Sequence, residues 1–243
     1  MRFLTKEWYQ TMQDSGLGVC LAADERAAVP SEEVYQTLRA EKLKQWLRDR
    51  EEVCEVLGEP FDPAGEALRF DEFCAGELER YHTRVPEWIL AKVADLRVLA
   101  LGYCTQAVCD DLESYRAACR KQTERTMDEA WKMQKAQGIS WTGEHSLHDS
   151  VVLSLNREGE DLVIEFERDD VEWPEIKAIR FRDGRIITQE LPIENAWWLY
   201  DEIWKTDRGY EVHALLWKND NVFELTVGCS KPELVWTMPP TAK

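Results

Sequence analysis

Two pairs of residues in the C-terminal half have the types and spacing for proton transfer. Glu202 and His213 flank Thr206-Asp207-Arg208-Gly209, a turn sequence between two alternating apolar runs. With Lys205 opposite Tyr210 across that turn, the register sets Glu202 opposite His213, Tyr200 opposite Leu215, Trp204 opposite Glu211 and Trp198 opposite Trp217. Leu199, Asp201 and Ile203 then share the other face with Val212, Ala214 and Leu216. A carboxylate beside an imidazole in a partly dry setting favours the charged ring and makes an acid–base pair. The rings of Trp198, Tyr200, Trp204 and Trp217 would frame it as an aromatic binding face. The plainer reading is a satisfied polar pair on a face that packs against helices.

His148-Asp149 is the second pair. The plainer expectation for Asp149 is a structural role, capping a strand start or accepting backbone N–H groups; the sharper one is that His148, Asp149 and Glu202 converge in one polar pocket. His145 and His148 stand three apart, which on a strand points them to opposite faces, so no shared metal is expected. The chain has no Gly-x-Ser-x-Gly elbow, phosphate-binding Gly-x-x-x-x-Gly-Lys loop, His-Glu-x-x-His helix or EF-hand loop. No catalytic residue, metal site or cofactor is therefore assigned.

These residues need a scaffold. Up to position 138 the apolar spacing is helical. Phe3, Leu4, Trp8, Tyr9 and Met12 mark a first helix, and Gly16-Leu17-Gly18 lacks the rest of a dinucleotide fingerprint. Ser31 with Glu32 and Glu33 opens a helix that runs to Gly58. Asp62-Pro63 opens another, ending near Val85-Pro86. A helix from Glu87 through Ala100 follows, and then a long one ending at Gly138. From Ser150 the period is two. Val151, Leu153 and Leu155 face one way; Leu162, Ile164 and Phe166 return the chain; Asp183-Gly184 signals a hairpin; further strands end with Leu234–Trp236. The expectation is α+β: about five helices in residues 1–143, and an antiparallel sheet, barrel or sandwich of seven to eight short strands in 144–243.

The formal charge is −17 over 243 residues. Residues 1–143 carry 19 Lys+Arg against 26 Asp+Glu, and residues 144–243 carry 11 against 21. Neither half has a basic footprint for nucleic acid or for an anionic membrane surface. Such acidity serves solubility or meets a basic partner. The opening Met1–Glu7 lacks the apolar core of a signal peptide, and the 7 cysteines form no Cys-x-x-Cys pair. A cytoplasmic location is the expectation.

Leu147-His148-Asp149-Ser150, Leu162-Val163-Ile164-Glu165 and Trp197-Trp198-Leu199-Tyr200-Asp201-Glu202-Ile203, with the openings Phe3–Tyr9 and Asp95–Gly102, resemble domain-of-unknown-function family 4085. The resemblance extends over nearly the whole chain. It implies a bacterial protein with a helical half and a β half, and it carries over no chemistry. The His-Asp and Tyr-Asp-Glu strands also resemble β domains of small immunity-type bacterial proteins. The leading reading is a binding protein that meets another protein through the aromatic β face or the acidic surface. The alternatives are a hydrolase using His148, Asp149, Glu202 or His213, and a small-molecule sensor with an aromatic pocket. Oligomeric state is unknown from sequence.

Overall fold

The computed structural model describes residues 1–18, 20–138, 147–167 and 175–237. The boundary read at 143/144, and His145 with it, lies outside them. By contacts the chain forms two compact units, one of Met1–Thr11 with Gln122–Lys243 and one of Met12–Lys121. The division falls within helices α1 (Lys6–Asp14) and α6 (Gln106–Ala136).

In the unit of Met12–Lys121, β1 (Ala22–Ala23) pairs in parallel with β2 (Tyr103–Cys104). Helix α2 (Glu32–Leu57) ends at Gly58, whose φ of 71° lets its N–H reach back to the Cys54 and Glu55 carbonyls. Asp62 caps α3 (Pro63–Arg84) by accepting the Ala64 N–H at 3.1 Å. The single helix expected from Glu87 to Ala100 is instead two, α4 (Glu87–Leu90) and α5 (Leu96–Ala100). Asp95 is the reason: its extended backbone and its bond to the Arg97 N–H start α5 afresh. Leu38, Phe70, Val98 and Leu101 form one buried cluster, and Leu17, Tyr81, Ile89, Leu99 and Leu112 a second.

The other unit is built on eight antiparallel strands: β3 (Ser150–Glu158), β4 (Asp161–Phe166), β5 (Ile176–Arg182), β6 (Arg185–Gln189), β7 (Trp197–Thr206), β8 (Gly209–Lys218), β9 (Asn221–Cys229) and β10 (Lys231–Trp236). Their order is β10-β5-β4-β3-β7-β8-β9-β6, an open sheet rather than a closed barrel. Its inward face is continuous. Ile179 and Phe181 of β5 share one buried cluster with Phe223, Leu225 and Val227 of β9, so the sheet curls over its own core.

Three strand expectations are corrected. Asp183-Gly184 does turn the chain, with φ of 51° at Asp183, but β5 and β6 form no hairpin ladder. β4 and β10 occupy both edges of β5, and β6 pairs with β9 at the other end of the sheet. On β3 it is Val152 that enters the core, while Leu153 is exposed; the register shifts between Val152 and Ser154. On β7 the ladder with β8 shifts between Trp198 and Tyr200, so Trp197 faces Trp217, and Trp198 faces Leu216.

Candidate functional site

Beyond that β7 irregularity the register is the one read from the turn: Tyr200 opposite Leu215, Glu202 opposite His213, Trp204 opposite Glu211. The extra residue at Leu199 is a bulge, and a bulge reverses the face of everything on its far side. Trp198 therefore joins Ile203, Val212 and Leu216 in the core, its indole donating to Asp201 Oδ1 at 3.0 Å. Trp198, Tyr200, Trp204 and Trp217 do not form one aromatic face.

β7 shares a ladder with β3 only at Trp197 and Trp198. Past that point side chains serve its open edge. Gln134 in the last turn of α6 and Gln137 just past its end accept the N–H groups of Ile203 at 3.3 Å and Lys205 at 2.9 Å.

Glu202 is fully buried. A carboxylate taken out of water needs donors in its place, and the chain supplies four. The backbone N–H of Arg2 donates to Oε2 at 2.9 Å, that of Phe3 to Oε1 at 2.9 Å, and that of Leu4 to Oε1 as well. Trp204 Nε1 completes the set at 2.8 Å from Oε2. The segment so held is fastened along its length. The Met1 amine pairs with Glu224 at 3.2 Å, and Lys6 with Glu190 at 2.6 Å. The Arg2 guanidinium lies 4.5 Å from the centre of the Trp204 ring, on which Phe3 stacks at 5.8 Å. Leu4 is buried. Residues 1–5 thus form a strap across β7 and β9. The first helix begins only at Lys6, with the Trp8 N–H bonded to Thr5 Oγ1 at 3.3 Å, so Phe3 and Leu4 precede the helix in which their spacing placed them. Thr5 was the available signal for that later start.

His213 stands beside Glu202 in the ladder, its Nδ1 3.2 Å from Thr226 Oγ1. Its Nε2 is buried without a hydrogen bond, although Glu211 Oε2 stands 3.4 Å away, within ion-pair range but out of line. Burial first, and then the Met1 amine, hold its pKa below the ordinary 6.5, against the opposite pull of Glu202 and Glu211. The expected charged imidazole is thus corrected: desolvation outweighs the carboxylates. Because the unfolded ring takes its proton at higher pH, stability tied to His213 is whole above about pH 6.5 and declines as the pH falls through that value. Urea midpoints at about pH 7.5 and 5.5 check this: the wild type loses more between them than His213→Gln, and equal losses would count against it.

His148 and Asp149 sit at the entry to β3. Asp149 has φ of 62° and donates its N–H to the Trp198 carbonyl at 2.9 Å. His148 Nδ1 bonds the Leu199 carbonyl, and the ring lies 4.8 Å from that of Tyr200. A carbonyl only accepts, so Nδ1 carries the hydrogen. Nε2 faces Asp149 Oδ1 at 3.6 Å, with both side chains substantially exposed. Trp8 meets Tyr200 edge-on at 4.8 Å; burial, then Tyr9 and Asp149, raise the Tyr200 pKa. His148 and Asp149 are therefore tied to the carbonyl edge of β7, whereas Glu202 is tied to the strap. The hydrogen bonds of His148 and Asp149 and those of the Glu202 carboxylate go to different partners.

Residues 115–227 match the family described as Protein of unknown function (DUF4085). The DUF4085-like stretch runs from within α6 through most of β9, and so holds Gln134, Gln137, His148, Glu202 and His213. Phe3–Tyr9 and Asp95–Gly102 fall outside it, so the resemblance is narrower than the near-whole-chain extent expected. No curated protein and no solved structure matches the chain. Among the described residues no helix is long and apolar enough to cross a membrane, and no group of three or more His, Cys, Asp and Glu side chains could hold a metal ion.

Proposed function

We propose that this chain is a cytoplasmic protein-binding module that meets a basic protein partner through its acidic surface. The observation that carries the reading is the fate of Glu202: its carboxylate is spent on four donors of the chain itself. The polar group best placed for chemistry holds the fold, and the aromatic ring beside it is covered by Phe3 and Arg2. What faces solvent is an excess of carboxylates, in a chain of net charge −17, which steers and holds cationic surfaces. Neutralisation of a basic toxin by an immunity-type protein is one form of this reading.

Affinity capture from native extract tests it. A companion of high isoelectric point is retained at about 0.05 M salt and released by about 0.5 M, where the screening length falls to a few ångströms. Recovery of the same proteins at both salts, or of none, would reject the reading.

A hydrolase is the second reading, favoured by one observation. His148 has its Nδ1 fixed by a main-chain carbonyl while its ring is 40% exposed beside Asp149, the arrangement of an oriented general base. Turnover of ester or phosphoester probes that disappears in His148→Ala would move the assignment there.

A further inference from the structure

The last turns of α2 present an arrangement that nothing within the helix satisfies. Val53, Val56 and Leu57 stand at i, i+3 and i+4, which places them on one helix face. All three are exposed, Val56 at 86% and Leu57 at 63%. They line a shallow open depression together with Asp49 and Glu52. Asp49 and Glu52 are thus its charged margin, and Glu59 follows just past the helix end, exposed like them. A helix C-terminus already carries about half a negative charge, so carboxylates there repel it and cations would relieve it. Yet the last turn of α2 has no basic residue. Of the cations just before it, Arg50 is turned to Glu66 at 3.1 Å, and Arg48 reaches Asp49 only at 3.9 Å.

An apolar stripe costs free energy when left in water, and a negative rim at a negative helix end costs more. One ligand chemistry answers both: apolar side chains one helical turn apart, flanked by Lys or Arg. We propose that the C-terminal end of α2 is the docking surface for a basic amphipathic helix of another protein, with Val53, Val56 and Leu57 taking its apolar anchors. This rests on the binding reading above and names its surface and partner. Charge decides against a second copy of the chain, since that pairing would bring carboxylate rim against carboxylate rim.

The probe is a fluorescent 18-residue peptide of Leu and Lys, with Leu at i, i+3 and i+4 spacing, titrated into the full chain and followed by anisotropy. Val56→Ser with Leu57→Ser removes the stripe at exposed positions, where substitution leaves the fold intact, and circular dichroism confirms that it does. The double variant binds about tenfold more weakly, as does Asp49→Lys with Glu52→Lys, the two carboxylates that line the depression. A scrambled peptide of the same composition binds more weakly than the patterned one. Equal binding to wild type and Val56→Ser/Leu57→Ser, or equal binding of the scrambled peptide, would overturn the proposal. Wild-type self-association abolished by the same double variant would overturn it in favour of a second copy. Failure here with a salt-sensitive companion still captured refutes this surface alone; failure of both removes the binding reading.

Discussion

Glu202→Ala lowers folding stability by at least about 3 kcal/mol. The truncation leaves four N–H donors without their acceptor. Water can reach the three main-chain amides only if the strap lifts, and lifting uncovers Leu4 and the Trp204 ring. The Trp204 indole is itself fully buried, so its N–H has no easy replacement. Glu202→Gln keeps the shape and one acceptor oxygen but turns an NH2 group toward N–H donors, and about half the loss is expected. Urea denaturation gives the magnitude. Trypsin cleavage after Arg2 and Lys6, faster in both variants than in wild type, locates the effect in the strap. A Glu202→Ala midpoint within error of wild type would show the carboxylate to be idle.

Gly209→Ala has a comparable effect for a different reason. Gly209 follows the Asp207-Arg208 turn at φ of 121°, and a Cβ there would stand 2.2 Å from the Cys229 carbonyl oxygen and 2.8 Å from Ser230 Cα. Both obstacles are backbone, so β9 must move away from β8 or the turn must open. A loss of about 3 kcal/mol or more is expected, from strain and clash together. Gly58→Ala is the control. Its φ of 71° is also left-handed, but a Cβ meets nothing within 4 Å, so only the backbone preference is lost, about 1 kcal/mol. Thermal unfolding of the two variants separates crowding from conformational preference, and similar melting temperatures would refute the crowding argument.

What could be read from sequence was local. Thr206–Gly209 is a turn between alternating runs, and turn plus period fix the pairing of Glu202 with His213. Gly58, Asp62 and Gly138 mark helix ends because caps and left-handed residues act within one turn. The bulge at Leu199 has no such signature. It occurs where β7 leaves its ladder with β3, a demand made by another strand. Asp183-Gly184 announces a turn truthfully, but which strands lie beside β5 is decided by β4 and β10. The strap was hidden for a sharper reason. Three of the four donors to Glu202 are main-chain N–H groups, which every residue but proline carries, so no residue type could advertise them.

The strap also sets an order of events during synthesis. The amides of residues 2–4 leave the ribosome about two hundred residues ahead of their acceptor, whose bonds span separations of 198 to 200. Through that interval Leu4 and Trp8 travel as sticky side chains on a nascent chain, open to chaperones and to proteases. Pairing so distant in sequence comes late and slowly. Locking down residues 2–4 therefore has to wait for β7 to be made and folded.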